Sequence, residues 1–332
     1  VTTPPPFPFR RSAPRRPRTG ARTRAAAALA MAVAVGAPLA AAPAPAGASP
    51  LPPPAAVAAG HPAVRADLTA SASDPVPGSG HRDALTRVLD DRLADRAADV
   101  AVAVRERTTG AGYAYNADAP FAAASTVKVD LLVLLMLRAQ AEDRRVTAAE
   151  LALAGPMLRY SDNDAADALY TRLGLAAGYT AAATPLGLTG TAPDAAGSWG
   201  ATTTTAADRL RVLDAVYADD GPLTAEHRAL ARDLLAGVAP EQAWGVGALG
   251  ADAPAELKNG WVPRAADGGR WAVHSTGRVV LDGREYLVAV LTEGSPGYAD
   301  GVALVEEVAA VAVAGVAAAI GGPAGEAAAA RP

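Results

Sequence analysis

The sequence predicts a mixed α+β fold: an antiparallel five-stranded sheet flanked by N- and C-terminal helices, with an all-helical lobe inserted into it. Three observations carry this. Residues 100–105 and 112–116 alternate apolar and polar positions around Thr108-Thr109-Gly110, which reads as a hairpin. Residues 256–261, 271–282 and 284–291 are again β-rich, and Asp282-Gly283 between the last two is a two-residue hairpin turn. Between these groups the apolar spacing is helical throughout. Strands supplied from both ends of a domain and joined by hairpins make a largely antiparallel sheet.

The elements follow in order. Residues 1–48 read as an export signal: seven Arg between Arg10 and Arg24, an apolar run over 25–42 broken by Gly36 and Pro38, and Ala46-Gly47-Ala48 as a small-residue cleavage site. Residues 49–80 are rich in Pro, Ala, Ser and Gly and read as a linker. The folded domain is expected over 81–322, with a tail over 323–332. A first helix is expected over 83–98, with Leu85, Val88, Leu89 and Leu93 on one side. Leu131 to Leu137 is apolar on nearly every face, as in a buried helix. Thr147 followed by Glu150 is a capping box for a helix over 147–158. The polar loop 159–164 separates it from the next helix, which Asn163 or Asp164 could cap. Further helices are expected over 205–217, 224–237 and 298–320. The last has a membrane-like end over 308–320 that is too short to span, so it should pack on the sheet.

Composition removes several function classes. Without cysteine there is no disulfide, catalytic thiol, Cys-based metal site or lipidated Cys in these 332 residues. The four histidines are scattered and no metal or cofactor is expected. The formal net charge is −4, and removing residues 1–48 would take away seven Arg and no acid. So acidic a domain argues against nucleic acid as a partner. The expected protein is monomeric, exported to the cell envelope or medium, and in contact with the membrane only during export.

The chemistry centres on Lys128. It opens the buried helix, where desolvation lowers a lysine pKa, and Ser125 lies one turn before it. A hydroxyl beside an amine that can lose its proton is a nucleophile with its base. The chain holds 30 Lys+Arg, yet Lys128 and Lys258 are the only lysines. Arg stays protonated and cannot act as a base, so Lys is kept where Arg would fail.

Three motifs stand in order: Ser125-Thr126-Val127-Lys128, Ser161-Asp162-Asn163 and Lys258-Asn259-Gly260. Both lysines and two of the three asparagines belong to them. In these motifs, over residues 81–322, the chain resembles the penicillin-recognising serine hydrolases, and within them actinobacterial class A β-lactamase-related proteins. The resemblance implies a β-lactamase/transpeptidase-like fold and assigns roles. Ser125 would form an acyl-enzyme and Lys128 would take its proton. Ser161 would pass a proton to the leaving nitrogen. Asn163 would hold the substrate amide oxygen and orient Lys128. Lys258 would attract a substrate carboxylate, which Asn259 would help to bind at the Gly260 strand. The backbone N–H groups of Ser125 and Trp261 would form the oxyanion hole.

Two departures stand out. Asn259 replaces the Thr or Ser usual in the third motif. The Glu that activates the deacylating water in class A enzymes is missing: no Glu lies between Ser161 and Glu226. Asp194 could replace it, or could cap a helix or turn. The resemblance thus implies a small-molecule β-lactam or a peptidoglycan peptide as substrate, turned over by a β-lactamase-like hydrolase or by a D,D-peptidase. A non-catalytic exported binding module that kept the cleft is the third reading.

Overall fold

The computed structural model describes residues 79–321, apart from 251, 252 and 255. The expected export signal, most of the linker and the C-terminal tail lie outside the described residues.

Helix α1 (Ser79–Leu93) leads into strand β1 (Asp99–Glu106) and its hairpin partner β2 (Gly112–Tyr115). The chain then crosses through β3 (Phe121–Ala122) into the helical lobe: α2 (Lys128–Ala141), α3 (Ala148–Arg159), α4 (Asn163–Leu173), α5 (Leu175–Ala183), the short strand β4 (Thr203–Thr204), α6 (Ala206–Tyr217) and α7 (Ala225–Ala236). It returns as β5 (Glu256–Arg264), β6 (Arg270–Leu281) and β7 (Arg284–Ser295), and ends in α8 (Tyr298–Ile320). The main sheet has the order β2-β1-β7-β6-β5, and β3 pairs with β4 in a separate ladder. Every pairing is antiparallel.

The alternation in β1 separates two cores. Successive strand residues point to opposite faces. Val100, Val102 and Val104 face Leu85 and Leu89 of α1 and Leu304, Val305, Val308 and Val313 of α8. Ala101 and Ala103 face the other way and pack with Ala206 and Ala207 of α6. Bulky residues fill the terminal-helix face, while alanines let α6 lie close on the lobe side. Helix α8 is half-buried with its apolar stripe on the sheet, although it is long and apolar enough to cross a membrane by composition.

Helix α2 is the axis of the lobe, and every residue from Lys128 to Leu137 is buried. Full burial of each Leu contributes about 1.5–3 kcal/mol. One charged residue inside this helix escaped the sequence reading. Asp130 is 0% exposed and forms a two-pronged ion pair with Arg209 of α6, with Nη2 2.7 Å from Oδ2. The Tyr179 hydroxyl of α5 donates to the same carboxylate. Burial acts to lower the Arg209 pKa, but the Asp130 charge outweighs it and holds the guanidinium charged. Three helices are thereby joined at one point.

Some boundaries differ from expectation. Helix α1 starts at Ser79 and stops at Leu93, where Ala94 and Arg96 N–H groups bond back to Asp91 and Leu93 and turn the chain into β1. The capping box is present at Thr147 and Glu150. Of the cap candidates, Asp162, which the sequence marks as a structural cap rather than a catalyst, caps α4, its Oδ1 accepting from Ala165 N at 2.8 Å; Asn163 and Asp164 lie in the first turn. Strands β5 and β7 run past their expected ends to Arg264 and Ser295, because their outer residues continue the ladder with β6.

Candidate active site

Ser125 lies in a 3-10 turn, Ala124–Val127, just before α2 rather than within it. The Lys128 backbone N–H bonds to Ser125 O, and residues three apart in a 3-10 turn eclipse one another. The side chains of Ser125 and Lys128 therefore leave the backbone on one side. The turn is strained at its start: Ala124 has φ +46°. Backbone strain of this kind persists only where the surroundings hold it. Here Ala123 N–H donates to Thr202 O at 2.7 Å, and Thr126 Oγ1 donates to Ala123 O at 2.6 Å.

Strand β5 presses on the same turn. A Cβ added at Gly260 would lie 2.8 Å from Ser125 N and 2.9 Å from Thr126 N. Both are backbone atoms, so only glycine fits. Across the ladder from Gly260, His274 is fully buried. Its Nδ1 accepts from Thr292 N at 3.1 Å, so Nε2 carries the hydrogen and donates to Ala122 O at 2.8 Å. Burial pushes the imidazole down to about 4, which keeps it neutral. His274 thus ties the sheet to the residues that lead into Ser125.

Lys128 is 0% exposed. Its Nζ donates to Ser161 O at 2.6 Å, Ser161 Oγ at 3.1 Å and Asn163 Oδ1 at 2.8 Å. Burial lowers its pKa to about 7, against opposing pulls from Asp162 and Asp167. Ser161 is held at φ +58° between α3 and α4, and Asn163 is the first residue of α4. The first two motifs therefore meet at one amine.

Lys258 is also 0% exposed, on β5, and donates to Asn259 O at 2.7 Å. Burial, and then the charge of Lys128, push its pKa well down. The neighbouring side chain turns elsewhere. Asn259 Nδ2 donates to Gln242 O at 2.8 Å and to Trp244 O at 3.0 Å. Adjacent strand residues face opposite ways, and the amide expected at a substrate carboxylate is instead spent on the 242–244 backbone. Trp261, two residues further along β5, is half-buried against Trp244 and Tyr298, with ring centroids 5.8 Å and 5.9 Å away. Arg278 and Arg264 are both engaged in ion pairs, with Glu256 and Glu285 and with Asp267 and Glu293 respectively.

Asp194 behaves as a turn residue. Its Oδ2 accepts from Ser198 N at 3.2 Å, and its carbonyl accepts from Gly197 N at 3.1 Å. Its charge is felt at Tyr170, whose pKa is raised by burial and then by Asp194.

Two residues that the sequence reading passed over stand beside Lys128. The Trp199 ring centroid lies 4.7 Å from Nζ. The Trp199 indole N–H donates to Asp167 Oδ1 at 2.5 Å. Trp199 is one of only four tryptophans, and that scarcity was the available signal.

A family described as the Beta-lactamase enzyme family matches over residues 82–151 and 136–316. The chain belongs to the Beta-lactamase enzyme family. "Putative lipoprotein LppW" of Mycobacterium tuberculosis is 31% identical over 229 residues, covering 67% of this chain and 71% of that protein. The Mycobacterium bovis protein of the same name gives the same figures. A class A β-lactamase from Bacteroides cellulosilyticus superposes with a TM-score of 0.61 at 18% identity, covering 73% of this chain and 99% of that one. The structure of PBP-A superposes at 0.59 and 20% identity, covering 69% and 94%. These structures share the fold with this member of the Beta-lactamase enzyme family.

Proposed function

We propose that the chain is an exported active-site-serine hydrolase that forms an acyl-enzyme at Ser125 with a β-lactam or a related amide or ester. The observation that carries this is the buried Lys128 amine, with a pKa of about 7, held by Ser161 and Asn163 one 3-10 turn after Ser125. A neutral amine takes the Ser125 proton as Oγ adds to the carbonyl. Ser161, 3.1 Å from Nζ, passes a proton on to the leaving nitrogen. Lys258 lies on the face of β5 that Gly260 turns towards Ser125, and an entering substrate carboxylate would raise its lowered pKa and pair with it. The N–H groups of Ser125 and Trp261 receive the developing oxyanion, each worth on the order of 3 kcal/mol of barrier. In support, a PBP-A variant of the same fold is described as an acyl-enzyme complex with penicillin G. The lipoprotein name of the mycobacterial relatives favours an envelope location.

A second reading is a D,D-peptidase acting on peptidoglycan peptides. The missing Glu favours it, and so does the engagement of Asp194 with Ser198, since both leave release of the acyl group poorly equipped. Intact mass followed over time with a fluorescent penicillin and a chromogenic cephalosporin separates the readings. Fast turnover supports the β-lactamase reading, and a persistent adduct on Ser125 supports the peptidase. If neither adduct nor turnover forms, and Ser125→Ala is indistinguishable, the chain is a binding module.

A further inference from the structure

Trp199 joins three parts of the site. It begins a short 3-10 turn, Trp199–Ala201, and the next residue, Thr202, accepts the Ala123 N–H that anchors the Ser125 turn. Its ring lies over Lys128 Nζ with the centroid at 4.7 Å. Its indole N–H is held by Asp167, which sits on α4 one helical turn beyond Asn163. Asn163 itself holds Lys128. The ring is therefore pinned between the Ser125 turn and α4, directly across the amine.

This position bears on acyl-group release. The polar partners of Nζ are Ser161 and Asn163, and a further side of the amine is covered by the ring. An aromatic face has no lone pair with which to hold a water. The carboxylates whose charge reaches Lys128 are Asp162 and Asp167. Asp162 is occupied by capping α4 and Asp167 by the indole. In release, the water oxygen bonds to the acyl carbon and the carbon–Oγ bond breaks. One water hydrogen ends on Ser125 Oγ and the other stays with the new acid. A water needs both a place near Lys128 and an acceptor to begin this, and Trp199 removes the place while tying up one acceptor.

Resting on the acylation reading above, we infer that Trp199 sets the lifetime of an acyl group on Ser125: its ring, pinned by Asp167, keeps the hydrolytic water away from Lys128. The test uses the full chain, fluorescent penicillin, and intact mass to follow formation and decay of the adduct separately. Trp199→Ala uncovers the Lys128 amine, so its pKa should rise and adduct formation at pH 7 should slow, while decay should speed by about tenfold or more. Trp199→Phe keeps a ring and should restore most of the lifetime. Asp167→Ala frees the indole and should fall between. A merely structural role would lower both rates together, which overturns the inference. So does an adduct on Trp199→Ala that decays no faster than on wild type, or a wild-type adduct that decays as fast as it forms; both leave acylation standing. A wild-type chain that takes no adduct at all sinks the acylation reading, and this inference with it.

Discussion

The pKa of Lys128 makes a quantitative demand on the pH dependence of acylation. Burial brings the amine to about 7, with Asp162 and Asp167 pulling it upward. Only the neutral amine can accept the Ser125 proton. The neutral fraction is then about a tenth at pH 6, half at pH 7 and nine tenths at pH 8. An ordinary lysine, with a pKa near 10.4, would be neutral in only about one molecule in 2,500 at pH 7. Burial thus raises the share of competent enzyme roughly a thousandfold. The assay is the second-order rate of acylation by a fluorescent penicillin at constant ionic strength from pH 5.5 to 9.5. It should rise about tenfold per unit below 7 and flatten above pH 8. Lys128→Arg, which stays charged, should lose 10²–10⁴-fold. A rate that climbs without a plateau to pH 9.5 would refute the assignment of Lys128 as the base. The same shift has a thermodynamic consequence of definite sign. Because the folded-state pKa lies below the unfolded one, the unfolded chain binds more protons between about pH 7 and 10. Stability contributed by this group therefore increases as pH rises through that window.

Other variants test the site from different directions. Gly260→Ala places a methyl 2.8 Å from Ser125 N; it should cost about 1–3 kcal/mol in denaturant unfolding and slow acylation by about 10²–10³-fold through the displaced oxyanion donor. Asp194→Asn keeps an acceptor for Ser198 N, so single-turnover release of the acyl group should be unchanged; slower release would reinstate Asp194 as the base. Asp130→Ala leaves Arg209 buried and uncompensated, at a cost of about 3–5 kcal/mol, and should lower the thermal midpoint by on the order of 10 °C. His274→Ala removes the bond to Ala122 O and should slow acylation more than it lowers the thermal midpoint, since the site turn rather than the sheet loses its tie.

Much of this was legible because it is local or periodic. The Val/Ala alternation of β1, the Asp282-Gly283 turn, the Thr147 capping box and the all-apolar α2 each encode their structure within a few residues. The lysine opening α2 announced the candidate site. What escaped reading depends on partners distant in sequence. The 3-10 turn before α2 is imposed by Gly260 and Thr202, not by Ala124-Ser125-Thr126-Val127. Asp162, Asn163 and Asp164 are all competent caps, and the tight turn at Ser161 selects the first. The Trp199–Asp167 bond spans 32 positions, and the Asp130–Arg209 pair spans 79. Asn259 follows from strand parity: with Lys258 turned one way, its neighbour had to face the 242–244 backbone.

Both lysines of this chain are sealed from solvent, while its many arginines supply the basic surface. An amine-directed reagent meeting the folded domain therefore finds no ε-amino group within reach. Acetylation or succinylation of either lysine becomes a clock for opening. Lys128 reports movement at the mouth of the helical lobe and Lys258 reports lifting of the edge strand. Peptide mapping after brief labelling would reveal which side of the cleft breathes first, using two probes that the protein already carries.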